Sequence, residues 1–112
     1  MKFLLERGVI CLDWATCSAD IAKNFEMTLQ NLSARVPVVA LTIDLDAIDA
    51  QWAPGVSAAN KNGLTAEEVQ AIVALAAQNK KVAYLDLMEM NPRFDPDGRT
   101  ARLAASLIGT FC

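Results

Sequence analysis

Histidine is absent from all 112 residues, and that absence excludes more chemistry than any single residue present suggests. A Ser-His-Asp triad, a Cys-His nucleophile and an imidazole-held zinc cannot be built within a chain that has no imidazole. Cysteine is scarce as well. Cys11, Cys17 and Cys112 are an odd number with no C-x-x-C spacing, which excludes a disulfide framework and a four-cysteine zinc site. A reduced, cytoplasmic setting is the natural expectation. Cys11, inside an apolar run, is expected as a small core residue, Cys17 as incidental, and Cys112 as exposed and oxidisable. Positive charge is thin: Lys and Arg total 10 against 13 Asp and Glu, a net charge of −3. With no basic cluster, nucleic acid is not an expected partner. Long apolar runs are missing too. The longest, residues 71–77, falls far short of the roughly 20 residues that cross a bilayer. Lys2-Phe3-Leu4-Leu5 opens like a signal peptide, but Glu6 and Arg7 end the stretch at once, so no secretion signal is read and no membrane role is expected.

What is present points to one folded unit. A hydrophobic content of 54% suffices for a core at this length and rules out a disordered tail. No repeat, linker or low-complexity stretch divides the chain, so residues 1–112 read as part of a single domain. Gly8 interrupts an opening helical turn, and Val9-Ile10-Cys11-Leu12 reads as a short buried strand. Ser18 is placed to cap a helix running toward Ala34, with Ile21, Phe25, Leu29 and Leu32 at helical spacing. Pro37 blocks further helix. The run Val38-Val39-Ala40-Leu41-Thr42-Ile43 then has the near-continuous apolar character of a parallel strand covered on both faces. Residues 44–64 form a long connection of the kind that usually carries function. Thr65-Ala66-Glu67-Glu68 is a capping box opening a helix whose Val69, Ile72, Val73 and Ala76 share a face. Val82-Ala83-Tyr84-Leu85-Asp86-Leu87 is the next strand. A last helix from about Gly98 carries Ala104, Leu107, Ile108 and Phe111. The alternation predicts an α/β fold with a mostly parallel sheet.

In such sheets ligands bind beyond the carboxyl ends of the strands, and both strands end in polar sequence. The first runs into Asp44-Leu45-Asp46-Ala47-Ile48-Asp49. If the strand continues, Asp44 and Asp46 share a face. Two carboxylates so aimed repel unless a cation or proton lies between them, and oxygen donors suit Mg, Ca or Mn. The plainer alternative has one aspartate capping a turn and the other solvated, and Asp49 reads as closing the turn. The second strand leads to Glu89, set between Met88 and Met90, where an unpartnered carboxylate is costly. Either a cationic substrate group or an internal ion pair with Arg93, Arg99 or Arg102 would satisfy it. Asp95-Pro96-Asp97-Gly98 reads first as a turn with a helix N-cap, since EF-hand spacing is absent.

Taken in order, these elements resemble a known family. Thr42-Ile43-Asp44-Leu45-Asp46-Ala47-Ile48-Asp49 followed by Ala53-Pro54-Gly55-Val56-Ser57 resembles the ureohydrolase signature, in which a DxDxxDP run precedes APG and Ser or Thr. Glu89-Met90-Asn91-Pro92 is similar to that family's E-x-N-P element, and residues 97–104 to its final helix. The likeness covers residues 36–111 and, among arginases, agmatinases and formimidoylglutamases, looks closest to formimidoylglutamase. It implies a three-layer α/β/α arginase-like parallel sheet, of which this chain would be the C-terminal part. It also implies two Mn(II) ions in the intact enzyme, with Asp44 and Asp46 among their ligands and Glu89 accepting hydrogen bonds from a small amidine substrate. For a formimidoylglutamase the reaction is N-formimidoyl-L-glutamate plus water to L-glutamate and formamide, in histidine degradation.

The departures set further expectations. The family's D-A-H-x-D run and its histidine-containing glycine element have no counterpart here, and Ala50 stands where the family has proline. Metal binding by this chain alone is therefore expected to be weak or absent, and hydrolase activity negligible. Strands that lack their neighbours invite pairing, so association with a complementary chain or with itself is expected. The alternatives are part of an agmatinase or arginase-type amidinohydrolase, or a non-catalytic truncated paralogue that serves as a binding partner.

Overall fold

The computed structural model describes Phe3 and residues 6–112. Of the Lys2-Phe3-Leu4-Leu5 opening, all but Phe3 lies outside the described residues. The elements in chain order are α1 (Trp14–Cys17), α2 (Ile21–Ser33), β1 (Val39–Asp44), a 3-10 turn (Leu45–Ala47), α3 (Ala66–Gln78), β2 (Val82–Met88), a second 3-10 turn (Pro92–Phe94) and α4 (Arg99–Phe111). β1 and β2 pair in parallel, with Leu41 opposite Leu85, Thr42 opposite Asp86, Ile43 opposite Leu87 and Asp44 opposite Met88. Parallel neighbours need a crossover, and α3 supplies it.

Each helix starts for a local reason. The α3 capping box forms as expected: the Glu68 amide donates to Thr65 Oγ and the Thr65 amide to Glu68 Oε2. α2 is capped by Asp20, whose carboxylate accepts from the Lys23 amide. Ser18 instead closes α1, its amide donating to the Trp14 carbonyl. α4 follows Gly98, whose φ of 67° is a left-handed conformation that favours glycine.

The core lies on one face of the sheet. Ile43 packs there with Val69 and Val73 from α3 and Leu107 from α4, and Leu41, Leu85 and Leu87 press against the same cluster. Leu45, Ile48, Ala53 and Val56 belong to it as well, so much of the 44–64 connection is core. Its backbone is held by the Asp49 amide donating to the Leu64 carbonyl and the Leu64 amide to Ala47.

Three expectations are corrected. Residues 9–12 form no strand; Val9, Ile10 and Leu12 are exposed, because no described strand lies alongside to pair with them. Cys11 is accordingly exposed rather than core. β1 is covered on one face only: Ala40, Thr42 and Asp44 are exposed while Val39 and Ile43 are buried. Along α2 and α4 the predicted stripes are buried in part, Leu32 and Ile108 facing outward.

Candidate metal centre

β1 delivers Asp44 to its carboxyl end, and there the backbone leaves the strand. Asp44 Oδ1 accepts the Asp46 amide at 2.8 Å and so caps the 3-10 turn. This turn, rather than a continued strand, sets the relation between the two carboxylates. Asp44 is exposed and Asp46 half-buried. Asp46 Oδ1 is buried with no hydrogen-bond partner, a costly state that a cation relieves. Asp49 closes the following turn by accepting the Gln51 amide at 2.8 Å, as expected.

Glu89 follows Met88, which pairs with Asp44, so it sits at the carboxyl end of the adjacent strand. Its φ of 69° is the positive value among described non-glycine residues. Such a conformation costs a side-chain-bearing residue about 1–2 kcal/mol, and strain of this kind concentrates at functional sites. The ion-pair alternative for Glu89 is not formed among the described residues. Arg99 pairs with Asp97 at 3.0 Å, and Arg102 Nη1 donates to the Asp97 carbonyl.

A brace that sequence reasoning missed holds this end of the molecule. The Gly55 amide donates to Thr100 Oγ at 2.7 Å, and Thr100 is fully buried. Asp95 accepts the amides of Thr100 and Ala101, each at 2.9 Å. Burial pushes the Asp95 carboxyl up, but those two amides, the Thr100 hydroxyl and the Arg102 charge outweigh it and hold it below its ordinary value. Gly55 is required here because a Cβ would lie 2.4 Å from Asp95 Cβ. The Gly55 carbonyl accepts the Asn91 amide at 2.8 Å, and Asn91 Nδ2 donates to Ser57 Oγ at 3.1 Å. The A-P-G loop, the E-x-N-P loop and α4 are thus tied together behind Glu89. The visible signal was a glycine in a polar loop and a threonine in the first turn of an apolar helix.

The carboxylates fit a hard, oxygen-liganded cation in kind but not in number. Among the described residues no three His, Cys, Asp or Glu side chains gather into a group able to hold a metal. Asp44 and Asp46 offer part of a coordination shell. A separate cavity of about 550 Å³ opens beside Leu12, Trp14, Ile21, Phe25, Leu64 and Ile72. Neither carboxylate lines it, nor does Glu89. Among the described residues, no helix is long and apolar enough to cross a membrane.

Comparison with known proteins gives consistent results. The arginase family model matches residues 2–112. The formimidoylglutamase of Rhodococcus jostii (strain RHA1) is 42% identical over 92 residues, which are 82% of this chain and 29% of that protein. The solved arginase of Bacillus caldovelox superposes with a TM-score of 0.90 at 29% identity, over 98% of this chain and 37% of its own. A Trypanosoma cruzi formiminoglutamase solved with Mn2+ shares the fold, with a TM-score of 0.82 at 21% identity over 98% of this chain and 37% of its own. The chain therefore spans about a third of the length of the proteins it matches.

Proposed function

The chain belongs to the arginase family, and from that premise we propose that it is the C-terminal portion of a formimidoylglutamase-type hydrolase. The observation that carries the reading is the placement of Asp44 and Asp46 at the end of β1 beside Glu89 at the end of β2, with one Asp46 oxygen lacking a partner. Formimidoylglutamase is favoured over arginase and agmatinase by relatives such as the Rhodococcus jostii enzyme.

In this reading Asp44 and Asp46 hold manganese together with donors from outside these residues. Manganese is the choice suggested by oxygen donors and by the Mn2+ in the Trypanosoma cruzi formiminoglutamase of the same fold. When bound, the metal lowers the pKa of water and supplies positive charge at the reaction centre. Asp44 keeps one oxygen engaged with the Asp46 amide, which fixes where both carboxylates stand. Glu89 accepts hydrogen bonds from the amidine nitrogens and orients the C–N bond to be cleaved. The Asp95–Thr100–Gly55 brace keeps the Glu89 loop from drifting, at no cost in mobile side chains. The products are L-glutamate and formamide, formed in the cytoplasm.

Two donors do not make a binuclear site, so the isolated chain has no significant hydrolase activity. The test is a chimaera in which this chain replaces the matched segment of the Rhodococcus jostii enzyme. It is expected to release formamide from N-formimidoyl-L-glutamate and to leave arginine and agmatine intact. A folded chimaera that prefers arginine or agmatine would overturn the substrate assignment. Formamide release at a normal rate by the 112-residue chain with Mn(II) would overturn the partial-site reading.

A further inference from the structure

The sheet has a second face that neither α3 nor α4 covers. Since Leu41, Leu85 and Leu87 face the core, alternation turns their neighbours the other way. Ala40 with Tyr84, Thr42 with Asp86, and Asp44 with Met88 line that face in register. Tyr84 is 55% exposed and Met88 48%, large apolar groups that elsewhere in the fold are covered. Between them Asp86 carries a buried carboxylate oxygen, Oδ1, with no hydrogen-bond partner. A buried acceptor left unsatisfied is destabilising in an otherwise apolar setting. Both strands are also sheet edges among the described residues, with β1–β2 the whole sheet.

We infer that this open face docks the complementary part of an arginase-family fold, and that the docked layer seats a cationic or N–H donor side chain against Asp86. The inference rests on family membership and not on the catalytic reading. Coverage supplies the first argument: the Bacillus caldovelox arginase matches 98% of this chain, but only 37% of that structure is accounted for. Charge supplies the second. A second copy laid face to face would set Asp86 and Asp44 against their own counterparts, on chains that each carry −3, and like charges so placed repel. The occupant must therefore bring a donor where this chain brings a carboxylate, which a copy of the same face does not do.

The test mixes the chain with a tagged polypeptide comprising the part of Rhodococcus jostii formimidoylglutamase outside the matched segment, and reads the complex by size exclusion with light scattering. A one-to-one complex is expected. Asp86→Leu is expected to weaken it about tenfold or more, because the donor opposite is left buried and unpaired. Circular dichroism checks that the Asp86→Leu chain is folded. Tyr84→Glu, at an exposed position that leaves the core untouched, is expected to weaken the complex as well. A homodimer that excludes the complement, a monomer that ignores it, or Asp86→Leu and Tyr84→Glu chains that bind as tightly as the parent would each overturn the inference. None of these readouts depends on hydrolysis, so a failure here is distinguishable from a failure of the proposed activity.

Discussion

Thr100→Val removes a single hydroxyl from the centre of the brace while nearly preserving volume. Thr100 Oγ is the acceptor for the Gly55 amide at 2.7 Å, a contact that joins residues 45 apart in sequence. Both residues are buried, so no water takes the place of the lost oxygen. The Gly55 N–H is left unsatisfied, at a cost of about 1–3 kcal/mol. Asp95 loses the hydroxyl but keeps the amides of Thr100 and Ala101, so the start of α4 stays capped and the loss is confined to the loop. For a chain of this size 1 kcal/mol corresponds to roughly 4–8 °C in Tm. Urea and thermal unfolding followed by far-ultraviolet circular dichroism, in the chain and in the chimaera, give the number. Thr100→Ser restores the acceptor and is expected to recover most of the loss. Equal stability of Thr100→Val and the parent, or failure of Thr100→Ser to recover, would refute the assignment of this contact as the tie between α4 and the A-P-G loop.

Other outcomes follow from the same geometry. Gly55→Ala forces a methyl into the Asp95 side chain and is expected to destabilise by about 1–3 kcal/mol, measured by the same unfolding. Glu89→Gly relieves the positive φ and, after the extra chain entropy of glycine, is expected to stabilise by about 0.5–1 kcal/mol while removing the substrate contact; a loss of stability would count against strain at that residue. Asp95 has its carboxyl held below the ordinary 3.8, so its contribution is present above that pH and is lost as pH falls through the lowered native value. Asp95→Asn should therefore unfold with a shallower acid limb than the parent in pH-dependent denaturation. Mn(II) binding by the isolated chain, read by electron paramagnetic resonance, is expected to be weak and to fall about tenfold further in Asp46→Asn, since affinity follows ligand charge. Metal affinity unchanged by that substitution would remove Asp46 from the donor set.

What was legible in the sequence was local or periodic. Thr65 and Glu68 announce α3 because a capping box needs only residues three apart. The apolar runs of β1 and β2 announce parallel strands because burial demands them. The strand expected at residues 9–12 failed for a related reason. An apolar run shows what needs covering, not what covers it, and here no described strand lies alongside. Asp44 and Asp46 were readable as a pair, but the 3-10 turn between them was not. It arises because Asp44 captures the Asp46 amide instead of leaving it to a strand partner. The brace from Asp95 through Thr100 to Gly55 crosses from α4 to a loop earlier in the chain, and no spacing rule connects them. Asp86 stood out only as a charge inside an apolar strand; its unpartnered oxygen became visible once its register opposite Thr42 was known.

The central claim is that Asp44 and Asp46 are half of a hydrolytic metal site. It is tested most directly by comparing formamide release from N-formimidoyl-L-glutamate by the chimaera and by its Asp46→Asn variant, both with saturating Mn(II) and both confirmed folded. The account predicts release by the parent chimaera and a loss of about a hundredfold or more in the variant, as befits removal of a charged donor from the reaction centre. Equal rates in the two, or no release by the parent despite bound metal, would contradict it.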